Sequence, residues 1–176
     1  TFSGTGPDGR YYLYMETIGG GAGARSYKDG TDGIQGHVTN TSNLPVEALE
    51  MDAPIRVHRT ELRAGSGGDG AFRGGLGLVR EYEILSGDVV FTHRGERHVH
   101  PASGRQGGEP GARAHSVIKR SNGATEVINS KIVERLGPGD RVIVETAGGG
   151  GYGASNARAP LARLADLADR KIAEPK

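Results

Sequence analysis

Glycine constrains this chain more than any other residue: 31 of its 176 positions are Gly. The usual share is roughly 7%, so the excess is about two and a half times. Much of it sits in clusters such as Gly19-Gly20-Gly21-Ala22-Gly23, Gly65-Ser66-Gly67-Gly68-Asp69-Gly70 and Gly148-Gly149-Gly150-Gly151. A residue without Cβ loses the most backbone freedom on ordering and is poor in helix interiors. The excess therefore argues for turns, bulges and close backbone approaches rather than helices. It carries no collagen-like period, and apolar runs separate the clusters, so the chain reads as a folded domain with many loops.

Between the clusters the signals are those of strands. Arg10–Ile18 is rich in aromatic residues and reads as a strand that Gly19 ends. Arg25–Asn43 is polar without either period, as functional loops and partner-covering segments are. Val46–Met51 suits one or two helical turns, and Ile55–Leu62 a strand. Leu76, Leu78, Tyr82 and Ile84 alternate as one face of a half-buried strand, with Arg80 the exception on it. Val89–His93 and Arg141–Thr146 follow as strands. Ser116–Lys119 and Thr125–Ile128 flank Asn122-Gly123, the pattern of a two-residue hairpin with positive φ at both turn positions. Pro160, Leu161, Leu164, Ala165, Ala168 and Ile172 trace one face of a terminal helix that would pack on the β body or on a partner. The expected fold is mainly β, α+β at most: antiparallel hairpins in a sandwich- or barrel-like body with a C-terminal helix. Residues 1–153 form the β-rich domain and 154–176 the helix and tail.

Composition narrows the function. A formal net charge of +1, from 22 basic and 21 acidic residues, gives no ground to expect nucleic acid or an anionic membrane as partner. No stretch approaches the ~18 apolar residues of a spanning helix. Thr1–Pro7 has neither the basic region nor the apolar core of a signal peptide, so a cytoplasmic location is expected. The absent starting Met suggests a cleaved, truncated or separately processed chain. Zero Cys excludes disulfides and thiolate metal sites. Asn40-Thr41-Ser42 matches the glycosylation sequon and is read as chance.

Six stretches, in order over residues 10–153, resemble the hydantoinase B/oxoprolinase family. They include Tyr14-Met15-Glu16-Thr17-Ile18-Gly19-Gly20-Gly21-Ala22-Gly23-Ala24-Arg25 with Lys28–Gly33, and His37–Glu50. Further on come Glu61–Gly68, Arg73-Gly74-Gly75-Leu76-Gly77, Gly107-Gly108-Glu109-Pro110-Gly111 and Gly148–Gly153. The resemblance implies a part of an ATP-dependent cyclic-amide hydrolase of the hydantoinase or 5-oxoprolinase type. The remaining, N-terminal part of the B-type subunit and an A-type, ATP-using subunit would be its partners in a hetero-oligomer. ATP with Mg and a divalent metal would be bound there, and no cofactor by this chain alone. Two other readings stay open: a small subunit of an acetone- or acetophenone-type ketone carboxylase, and a purely structural assembly module.

Asp29–Glu50 is the stretch densest in polar groups. Its donors, acceptors and single imidazole suit orientation of a carbonyl or phosphate group. His37 is the candidate for proton transfer and Asn40 its catalytic companion. Asp32, Thr41 and Asn43 are candidates for substrate binding, with Gly20 and Gly21, whose backbone N–H groups could approach an anion. The competing reading is that Asn, Asp and Thr here cap turns, and that Gly19–Gly23 is a bend packed on another backbone. Gly148, Gly150 and Gly153 have dinucleotide-like spacing, but no βαβ unit can follow them. His93, His98 and His100 are the one cluster of metal-ligand type. Arg94, Arg97 and Arg105 beside them oppose a cation, so no metal site is assigned.

Overall fold

The computed structural model describes residues 1–36 and 38–172. Nine strands and two helices follow one another among them. They are β1 (Phe2–Thr5), β2 (Tyr11–Tyr14), α1 (Val46–Asp52), β3 (Ile55–Leu62), β4 (Leu78–Ile84) and β5 (Val89–Arg94), then β6 (His115–Lys119), β7 (Thr125–Val127), β8 (Lys131–Leu136), β9 (Arg141–Glu145) and α2 (Pro160–Ala168). Two sheets form, ordered β2-β1-β5-β8 and β3-β4-β9-β6-β7, with every pairing antiparallel. Neither sheet closes on itself, so the body is a sandwich and the barrel alternative falls away.

Alternation explains the packing. Phe2, Val89, Phe91 and Leu136 from the first sheet share one buried cluster with Ile55, Tyr82, Ile84, Ile118 and Val142 from the second. Residues of opposite parity on the second sheet, Val79, Val117 and Ile143, form a separate small cluster on its other face. That face also carries cross-strand ion pairs, with Glu81 held by Arg59 at 2.7 Å and Arg141 at 3.4 Å. In β3 the register shifts between Val57 and Arg59, a bulge at His58. Without that extra residue Arg59 would not share a face with Glu81.

The expected helical turns at Val46–Met51, the strands from Ile55 onward and the terminal helix are all present. Three details differ. β1 and β8 were not anticipated, because Phe2-Ser3-Gly4-Thr5 offers one large apolar residue and β8 mixes Lys131, Glu134 and Arg135 with apolar residues of which only Leu136 is buried. The β6–β7 connection is wider than a two-residue turn. Gly123 alone has positive φ (90°), Asn122 Oδ1 accepts from Ala124 N, and Arg120 and Ala124 pair across a three-residue loop. Helix α2 buries Asp166 while Leu161 and Leu164 face solvent. An ion-pair network anchors it: Asp166 meets Arg73 and Arg158, which also hold Asp32 and Asp29.

The glycine clusters, expected to form turns, bulges and close backbone approaches, make those approaches in a form the sequence did not show. They are extended segments packed backbone to backbone around residues 147–153. Gly21 N donates to Ala147 O and Gly148 N to Ala112 O, while Gly149 N donates to Gly75 O. Gly68 N reaches Gly149 O, Ala24 N reaches Gly150 O, and Gly151 N reaches Glu109 O. A strand in a sheet has two neighbours, whereas this segment bonds to four stretches of chain in different directions. That is the pattern of an extended helix that turns as it advances and makes no internal hydrogen bonds. Axes this close leave no room for Cβ: one placed on Gly148 would lie 1.7 Å from Ser66 O. The protein therefore has a second core, beside the sandwich, that contains almost no side chains. Gly148–Gly153, whose spacing only mimics a dinucleotide motif, packs against its own chain.

Candidate functional site

Where the sandwich meets the glycine layer, the walls part into a groove of about 920 Å³. Phe2, Tyr14, Ile18, Phe91 and Val144 supply its apolar surface, and Gly20 and Gly21 form part of the wall. A mostly apolar concavity with a few converging polar groups is the usual form of a small-molecule site.

Two polar clusters line it. The first is centred on Glu16, whose carboxylate takes the Arg80 guanidinium at 2.5 Å, the Tyr14 hydroxyl at 2.5 Å and the Tyr82 hydroxyl at 2.7 Å. Side-chain exposure is 2% for Arg80 and 5% for Glu16, so this charge pair is withdrawn from water. Arg80 also lies 5.7 Å from the Tyr82 ring centre. Burial, then the Glu16 charge, push the Tyr82 hydroxyl well above the usual tyrosine range. Tyr82 is therefore a fixed donor here and not a base.

The second cluster is imidazole-based. His93, on β5, is buried; its Nε2 lies 3.4 Å from His98 Nε2 and 3.4 Å from Ser116 Oγ on β6. Burial, then the neighbouring His98, push the His93 pKa down to about 4, and His98 is lowered too, again mainly by burial. Both rings are thus neutral at pH 7, able to donate at one nitrogen and accept at the other. Between about pH 6.5 and 4 the unfolded chain protonates the residue-93 ring while the folded chain does not, so the unfolded state binds more protons. The stability contributed is whole above about pH 6.5 and is lost as pH falls toward 4. Urea midpoints are expected to drop over this range more steeply in the native chain than in His93→Gln; parallel curves would contradict that origin.

The residues singled out from sequence are scattered by the fold. Asp32 accepts from Arg73 at 3.0 Å and from Leu76 N at 2.8 Å, a structural post beneath α2. Gly20 and Gly21 reach the groove, but the Gly21 N–H is spent on Ala147 O. Asn40 (φ 39°) and Thr41, which donates to Thr39 O at 3.1 Å, stay on an exposed loop. Asn43 Oδ1 accepts from Gln35 Nε2 at 3.5 Å. His37 lies outside the described residues. Glu16, Arg80 and Tyr82 received no role from sequence, although the odd Arg80 on an apolar face was the available signal. Among the described residues, no three His, Asp or Glu side chains are grouped to hold a metal ion, and no helix is long and apolar enough to cross a membrane.

Comparison with known proteins places this architecture. The hydantoinase B/oxoprolinase family model matches residues 1–155. 5-Oxoprolinase 1 of Arabidopsis thaliana is 39% identical over 142 residues, 81% of this chain and 11% of that protein. The B-type component of a putative D-/L-hydantoinase from Pseudomonas sp. (strain NS671) is 34% identical over 169 residues, 94% of this chain and 28% of that protein. The chain thus spans 11% and 28% of these two relatives. Its fold recurs in a nucleotide-free acetone carboxylase, with TM-score 0.83, 19% identity, and cover of 98% of this chain and 28% of that one. It recurs again in the ATP-dependent caprolactamase of Pseudomonas jessenii, with TM-score 0.81, 24% identity, and cover of 98% and 31%.

Proposed function

We propose, from the premise that this chain belongs to the hydantoinase B/oxoprolinase family, that it is one part of an ATP-dependent cyclic-amide hydrolase. The match over residues 1–155, with 5-oxoprolinase and hydantoinase relatives, carries this reading. The chain shapes the substrate site and binds the larger components: the rest of the B-type polypeptide and an A-type subunit that spends ATP. Phosphoryl transfer, with ATP, Mg and the divalent metal, belongs to those components, and the assembly works in the cytoplasm. Within this chain, Asn40 and Thr41 are exposed on their loop, where an assembled partner would meet them, and His37 and Asn43 would act beside them. Gly20 and Gly21 keep one groove wall low enough for close approach, and Asp32 supports the loop's start.

The test is turnover in the reconstituted complex. Amide-dependent ATP consumption without bicarbonate is expected. Consumption that needs bicarbonate and a ketone would instead identify a carboxylase. His37→Ala and Asn40→Ala should each lower kcat at least tenfold while assembly, followed by native mass, survives. Unchanged kcat in both would leave the chain a purely structural module.

A further inference from the structure

We propose that His93 and His98 form a two-imidazole site for a transition-metal ion, with its remaining coordination positions open to the groove. Ligands about 2.0–2.1 Å from a tetrahedral ion stand about 3.4 Å apart. The two Nε2 atoms are 3.4 Å apart. Their ring planes meet at 72°, so the imidazoles converge without stacking. Gly95 is what keeps the space beside both nitrogens clear. A Cβ on it would lie 2.5 Å from His98 Nε2 and 2.8 Å from His93 Nε2.

Ser116 Oγ, 3.4 Å from His93 Nε2 and buried with it, offers a further oxygen. The same groove is lined by Arg94 and Arg97, and by Glu96 and Glu145. Arg97 turns one guanidinium nitrogen to Pro101 O at 3.5 Å. Glu96 and Glu145 match Arg94 and Arg97 in formal charge, although Glu145 also pairs with Arg63 at 3.1 Å. Imidazole nitrogens suit Zn²⁺, Ni²⁺ and Cu²⁺ rather than Mg²⁺ or Ca²⁺. Two protein ligands fall below the three of an ordinary catalytic zinc site, so binding should be weaker than there. The open positions would take water or a substrate oxygen, which the ion would polarise.

Calorimetric titration of the 176-residue chain with Zn²⁺ and with Ni²⁺ tests this. One ion per chain is expected. His93→Ala and His98→Ala should each weaken binding at least tenfold, and His100→Ala should leave it unchanged. Gly95→Ala, which fills the space but keeps both ligands, should weaken it as well. Circular dichroism of each variant separates lost binding from lost fold, and His98→Ala, at a half-buried position, is the variant least exposed to that ambiguity. No binding by the native chain, or undiminished binding by both His variants, would overturn the site. The readout needs no turnover, so its failure is distinct from failure of the hydrolase reading.

Discussion

Gly149→Ala is expected to cost the fold about 4 kcal/mol or more. The new Cβ would fall 1.9 Å from Ala22 O and 2.3 Å from the carbonyl carbon behind it. No side chain can swing aside, because the obstacle is backbone. Ala22 O accepts from Gly75 N, whose own carbonyl accepts from Gly149 N, so any retreat breaks bonds in a closed ring of segments. Gly149 is buried, and water cannot replace what is lost. Overpacking ordinarily costs about 1–3 kcal/mol. A forced backbone shift in a hydrogen-bonded layer belongs to the rare class above about 4 kcal/mol. Against a total stability of about 5–15 kcal/mol, that is from about a quarter to most of what keeps a domain folded. Urea unfolding should show it, with Gly137→Ala as comparison. Nothing lies within 4 Å of a Cβ at Gly137, and its φ is ordinary, so a change within about 0.5 kcal/mol is expected there. Equal effects at the two positions would refute a side-chain-free core.

Glu16→Ala is expected to lose about 3–5 kcal/mol, the usual result of removing one partner from a buried ion pair. Three groups depend on this carboxylate: Arg80, Tyr14 and Tyr82. Without it Arg80 keeps only Leu44 O at 3.3 Å, and its Nε already lacks a partner. Glu16→Gln, which keeps an acceptor but no charge, should lose less. The double variant Glu16→Leu with Arg80→Met should recover much of the loss, because it leaves no charge unpaired in the core. Denaturant midpoints for the set decide the matter. A double variant as unstable as Glu16→Ala would mean that the cluster's shape matters and not its charge balance.

These two sites also mark where sequence was informative and where it was silent. Strand β4 was legible because apolar residues alternate in it, the direct trace of a buried face, and β3, β5 and β9 as short β-branched runs between turn signals. Arg80 broke the β4 pattern, and the reason lies 64 positions away in Glu16, a distance at which no local pattern speaks. The β6–β7 hairpin was legible in place but not in loop length, since Asn-Gly serves a three-residue loop as readily as a two-residue one. Leu161 and Leu164 have the spacing of a packed face yet stay exposed, because α2 is held by Asp166. Clustered glycine showed that backbones must approach closely, but not which ones, since a residue without a side chain carries no address. The candidate loop was found by its polar density. The groove was not, because Glu16, His93 and Ser116 are brought together only by the sandwich.

The position of residues 147–153 at the hub of the glycine layer fixes an order of events during synthesis. Its neighbours at 20–24, 66–75 and 105–112 are translated first and have no central axis to gather around until the hub itself leaves the ribosome. Their mutual contacts are almost all distant in sequence, the condition under which folding is slow. At about 5–20 residues per second, the nascent polypeptide waits for seconds with bare main-chain donors and acceptors facing water or other chains. A codon change or pause that lengthens this wait, with no amino acid altered, should divert more of the product to aggregates.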